Sequence, residues 1–175
     1  MKISLGAAIC VGVFLISLPT LVHKAGLHPD YSGPTVDLPG KRALIITTSH
    51  GVLAPVGETE GDPTGVAASE MTHPYYTFLD SGMDVDLASI EGGQIPIDPM
   101  TINRVIRTAE DERFLSDSIA RSKAKHSIPI AEVDITAYDI VFISGGWGAS
   151  YDLAQSPVLG EKVSDAYYGD KAAII

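Results

Sequence analysis

Only one of the 175 residues is a cysteine, Cys10, and it lies inside an apolar N-terminal run. Without a second thiol the chain can close no internal disulfide, so cysteine usage gives no reading of the redox compartment. Cations are scarce as well: 12 Lys and Arg stand against 22 Asp and Glu, a net charge of −10. That balance excludes nucleic acid as a partner, because phosphate binding needs a cationic footprint. It equally argues against docking of the folded surface on anionic lipid. There is no Asn-x-Ser/Thr sequon and no internal repeat. His50, His73 and His126 have no metal-ligand spacing, so no metal and no cofactor is expected. The glycines from Gly57 to Gly65 lack the Gly-Lys-Ser/Thr ending of a phosphate loop.

What is present begins with an apolar stretch. From Lys2 to Val22 it is broken only by small polar residues and Pro19. Roughly 20 residues rising about 1.5 Å each reach about 30 Å, the hydrocarbon thickness of a bilayer. Residues 1–22 therefore read as a transmembrane anchor or signal segment. Leu21-Val22-His23-Lys24 offers no small-x-small cleavage site, which favours a single-pass membrane anchor through residues 3–22 over a cleaved signal and a secreted or periplasmic product. Lys2 balances His23 and Lys24, so charge assigns no orientation. Cys10 is read as a small apolar residue of that helix. Residues 23–40, with Pro29, Pro34 and Pro39, read as a stiff linker.

Residues 41–175 are long enough for one core. Ala43–Thr48 is an unbroken β-prone run of the kind buried on both faces of a parallel sheet. Val66–Ser81 has helical spacing, with Ala67, Met71, Tyr75, Phe78 and Leu79 on one stripe and Gly82 as its stop. Pro74 lies inside it and is expected to kink it or mark an irregular first half. Asp84–Ile90 reads as a second strand and Thr108–Lys125 as a polar helix with Phe114, Leu115 and Ile119 inward. Within that helix Glu110-Asp111-Glu112-Arg113 reads as a solvated face. Tyr138–Ser144 is a third buried strand, ended by Gly145-Gly146-Trp147-Gly148. Ser156-Pro157 caps a helix that Gly169 ends, and Lys171–Ile175 has the small apolar character of a central strand. Strands alternating with helices imply a three-layer α/β fold.

Three of these segments, in this order, resemble the ThiJ/PfpI superfamily, also called class I glutamine amidotransferase-like. They are Lys41–Ile46, then Ser69–Leu79 with Gly82–Asp86, then Tyr138–Ala149. The Glu70-x-x-x-Pro74 spacing and the Gly145–Asp152 segment are most similar to its chaperone/glyoxalase III-like branch. The resemblance implies a flavodoxin-like, doubly wound, mostly parallel sheet. It also implies a catalytic cysteine on a sharp turn after the strand at which this sequence stops, so residues 41–175 are expected to be an incomplete domain that lacks its nucleophile.

By the same resemblance Glu70 is the glutamate beside that thiol, tuning it or shuttling a substrate proton. Gly145 and Gly146 match the turn whose backbone N–H groups approach the reacting oxygen. Trp147 stands where histidine is expected in many members of the branch, and with His73 it would wall the pocket. The expected substrate is a small reactive carbonyl such as a 2-oxoaldehyde, with a homodimer as the possible assembly. A non-catalytic, chaperone-like stress module is the alternative. Without the resemblance these residues carry less. A glutamate in a helix's first turn is favoured by the dipole alone, and a Gly-Gly pair is most often just a turn. Ser49, His50 and Asp62 do not make a triad, because neighbours along a strand point to opposite faces.

Overall fold

In the computed structural model the described residues are 5–27, 33–169 and 172–175. Lys2 and Ile3 of the expected membrane segment, Pro29 of the linker and Lys171 of the last strand lie outside them. The elements run α1 (Leu5–Lys24), β1 (Arg42–Thr47), β2 (Val52–Leu53), β3 (Asp62–Pro63), α2 (Ala68–Asp80) and β4 (Asp84–Ser89). They continue with α3 (Ala109–Ser116), α4 (Ser118–Lys125), β5 (Ile128–Pro129), β6 (Ile140–Ile143), α5 (Ala149–Asp152), α6 (Pro157–Tyr168) and β7 (Ala173–Ile174).

The main sheet has the order β5-β4-β1-β6-β7, and every pair in it is parallel. Apart from the two-residue β5, its order is that of a flavodoxin-type sheet. In β1 Ala43 and Ile45 face one layer, while Leu44 and Ile46 face the other. The first layer holds Met71, Tyr75 and Tyr76 of α2 with Phe114, Ala120 and Ala124. The second holds Ile130, Ile135, Val141, Leu159 and Ala166. Full burial of each large aliphatic is worth about 1.5–3 kcal/mol, which is why the unbroken apolar run takes the central position. β2 and β3 form a separate antiparallel pair.

Several expectations are corrected. Among the described residues no helix is long and apolar enough to cross a membrane. That overturns the anchor or signal helix, the membrane partnership of residues 3–22 and the membrane localisation together. Pro19 lies inside α1, and Gly6, Gly12, Ser17 and Thr20 interrupt its apolar side chains.

The expected helix over 108–125 is two helices. Asp117 leaves helical geometry and its side chain accepts the N–H groups of Ile119 and Ala120, capping α4. Leu115 and Ile119 are consequently exposed, and Ala120 and Ala124 face the core instead. Leu79 of α2 is exposed too, and Tyr76 takes its place in the core.

The run 110–113 is not wholly solvated. Asp111 is fully buried, closes a capping box with Thr108 and accepts the Thr72 hydroxyl at 2.6 Å. The last strand is short and pairs with β6 on one side only among the described residues, with Ala173 exposed.

Candidate active site

The order in which strands are added reverses at β1, whose neighbours β4 and β6 lie on either side. In open α/β sheets this is where a crevice forms, beyond the carboxyl ends of the strands. Three segments meet there: Thr48–Gly51 after β1, Gly65–Ala67 before α2, and Ser144–Gly148 after β6.

Glu70 stands in the first turn of α2 and is exposed. Its Oε2 accepts the Gly145 N–H at 3.0 Å, and no hydrogen bond engages Oε1 among the described residues. Its main-chain carbonyl accepts the Ser144 hydroxyl, also at 3.0 Å. Pro74 explains the second contact. Proline has no N–H, so the carbonyl four residues earlier loses its helical donor and is open to another. The helix nevertheless runs unbroken from Ala68 to Asp80.

Glycine is required at the turn. Gly146 has φ +122°, and a Cβ there would stand 2.5 Å from the Ala67 nitrogen. A Cβ on Gly145 would stand 3.1 Å from Glu70 Oε2, crowding the carboxylate it holds.

Glu70 and His73 share a cleft of about 550 Å³ with Ser69, Pro74, Phe142 and Ile175. His73 Nε2 lies 3.1 Å from Glu110 Oε2. Trp147 is 65 % exposed and does not line this cleft. Cys10 lies on α1, exposed, and does not line it either. So Glu70 and His73 share the cleft and Gly145 of the Gly145-Gly146 turn holds the Glu70 carboxylate, whereas Trp147 lies outside the lining.

The loop after β1 is held by a residue the sequence reading did not single out. Asp152 accepts the Thr48 hydroxyl at 2.8 Å and the Ser49 N–H at 2.7 Å. The only advance signal is its place at the end of the Gly145–Asp152 segment. Beside it the His50 ring stacks on Tyr151, centroids 4.1 Å apart, and points Nε2 at the Val52 carbonyl. The Ser49 hydroxyl donates to Ser89 at 3.0 Å. Ser49 and His50 are thus engaged elsewhere, and no triad forms with Asp62.

No protein-family model matches the chain. Over 130 residues it is 29% identical to glutathione-independent glyoxalase HSP31 of Saccharomyces cerevisiae, a match covering 73% of this chain and 53% of that protein. Over 119 residues it is 30% identical to glutathione-independent glyoxalase hsp3101 of Schizosaccharomyces pombe, covering 65% and 46%. The X-ray structure of Rapid Encystment Protein 24 kDa from Francisella tularensis superposes with a TM-score of 0.67 at 32% identity, covering 77% of this chain and 57% of that one.

Its homologues are glyoxalase III-like proteins of the ThiJ/PfpI superfamily. The chain spans about half the length of the curated relatives it matches.

Proposed function

We propose that this chain supplies the carboxylate side of a glyoxalase III-like site for small 2-oxoaldehydes, completed by a cysteine thiol that these 175 residues do not bring to the cleft. The observation that carries the reading is Glu70, pinned through Oε2 by the Gly145 N–H with Oε1 unengaged, at the crevice of a fold whose relatives are named glyoxalases. A fixed carboxylate beside a reacting carbonyl compound is the arrangement needed to move one proton.

The chemistry balances as follows. The thiolate adds to the aldehyde carbon and gives a hemithioacetal. The Glu70 carboxylate takes the hydrogen from that carbon as a proton, leaving an enediol, and returns a proton to the neighbouring carbon. Water then displaces sulfur from the resulting thioester, releasing a 2-hydroxy acid and the free thiol. The net change is addition of one water to the oxoaldehyde, with no external oxidant or reductant. Gly145 and Gly146 form the turn beside the reacting oxygen, and His73 lines the entrance.

The test is glutathione-free consumption of methylglyoxal by the native protein, before and after iodoacetamide. Turnover that is lost on alkylation, and retained in a Cys10→Ser variant, is expected. Absence of turnover, or turnover that survives alkylation, contradicts the thiol reading. The second reading, a non-catalytic chaperone-like module, is favoured by one observation: the only thiol in these residues stands outside the cleft. Suppressed aggregation of an unfolded client without methylglyoxal turnover supports it.

A further inference from the structure

A second cleft, of about 540 Å³, opens between α4, Phe114 of α3 and the loop 94–97. It shares no lining residue with the Glu70 cleft. The buried Ile95 and Phe114 form part of its lining, and Ser118, Arg121, Ser122 and Lys125 line it from one face of α4. Their spacing of three and four residues stacks them along that face.

Two of the cations that lack a carboxylate partner among the described residues line this cleft, while Lys24, Arg104 and Lys162 lack one elsewhere. Lys41, Arg42, Arg107, Arg113 and Lys123 each pair with a carboxylate. Arg121 and Lys125 pair with none among the described residues, although acids outnumber bases 22 to 12. Arg121 reaches only the Leu115 carbonyl, at a long 3.5 Å. No Asp or Glu lines the cleft. Basic residues near a helix C-terminus offset its dipole, which accounts for Lys125. It does not account for Arg121 in the middle of α4, nor for the cleft that both residues line.

We propose that this cleft binds a small organic anion, its acidic head on Arg121 and Lys125 and its apolar body against Ile95 and Phe114. The Ser118 and Ser122 hydroxyls supply further donors to the same head group. An arginine fork and an ammonium on an anion form charge-assisted hydrogen bonds, and the apolar Ile95, Ile97, Phe114 and Ala124 in the lining give a carbon body a surface that a bare ion cannot use.

The test is an amide NMR titration of the full chain with phenyl phosphate, benzoate and inorganic phosphate. Saturable shifts confined to 94–97 and 118–126 are expected with phenyl phosphate or benzoate, and the tighter of the two identifies the head group. Arg121→Gln with Lys125→Gln, or Ser122→Glu alone, is expected to weaken that binding about tenfold. All three positions are exposed, so both variants should keep the parent melting temperature. The proposal is overturned if neither probe saturates, if inorganic phosphate binds as tightly as both, or if both variants bind like the parent.

Discussion

Pro74 stands four residues after Glu70 and removes the one backbone donor that would have engaged the Glu70 carbonyl; the Ser144 hydroxyl takes its place at 3.0 Å. One residue on, the Gly145 N–H holds the carboxylate of the same glutamate. Glutamate, proline, serine and glycine therefore form one device that ties the start of α2 to the end of β6 and fixes the carboxylate above the crevice.

That device makes a coupled prediction. Ser144→Ala should cost about 1 kcal/mol by removing a buried hydrogen bond, a fall of about 3 °C in melting temperature. In a Pro74→Ala background the residue 74 N–H can serve the Glu70 carbonyl, so the same serine change should cost markedly less. A double-mutant cycle on thermal melts measures the difference. Equal cost in both backgrounds would show that the carbonyl never depended on Ser144.

Glycine requirements differ sharply along the chain. Gly146→Ala meets the Ala67 nitrogen in a left-handed conformation and is expected to destabilise by about 3 kcal/mol or prevent folding. Gly160 lies inside α6 with open space around it, so Gly160→Ala should stabilise by about 0.5–1 kcal/mol. Urea denaturation of the two variants beside the parent decides both signs.

Asp152 is expected to act on the loop after β1 rather than on chemistry. Asp152→Ala strips the acceptor from the Thr48 hydroxyl and the Ser49 N–H. Amide hydrogen exchange at Ser49 should speed up by about tenfold or more, while amides of β4 stay protected. Unchanged exchange at Ser49 would mean the carboxylate is a bystander.

Asp86, near the amino ends of β1 and β4, is one source of pH dependence. Burial alone would raise the Asp86 carboxyl, but Lys123, Tyr138 and Arg42 outweigh it and hold it below the usual carboxylate range. A group depressed in the folded state contributes stability above its unfolded value of about 3.9 and loses it as pH falls through the folded value. Melting temperature should therefore drop below about pH 4, and the curves of parent and Asp86→Asn should converge there. Parallel curves down to pH 2 would remove Asp86 as a source of acid lability.

Legibility in the sequence followed the range of the forces. The unbroken apolar run of β1 and the glycine stop after α2 are local signals, and the structure places elements where they indicate. The break at Asp117 was hidden because a capping aspartate looks like any polar residue on a helix's wet face. Asp111 reads as solvated although Thr108 three residues earlier offers a capping box, because its other partner, Thr72, is brought to it only once α2 and α3 pack. The apolar stretch 1–22 misleads because its length alone matches a bilayer, while Pro19 and the small residues that interrupt it leave a helix not apolar enough to cross one. At the site, resemblance pointed to Glu70, and the 103-residue separation between Ser49 and Asp152 hid the latch that orders the facing loop.

The most direct measurement compares glutathione-free methylglyoxal turnover by the native protein and by its Glu70→Gln variant, with melting curves taken on both. Glutamine keeps an acceptor for the Gly145 N–H but cannot carry a proton. The account predicts turnover lowered by about 100-fold or more with the melting temperature within about 2 °C of the parent. Turnover equal to the parent's in a folded Glu70→Gln protein would contradict it.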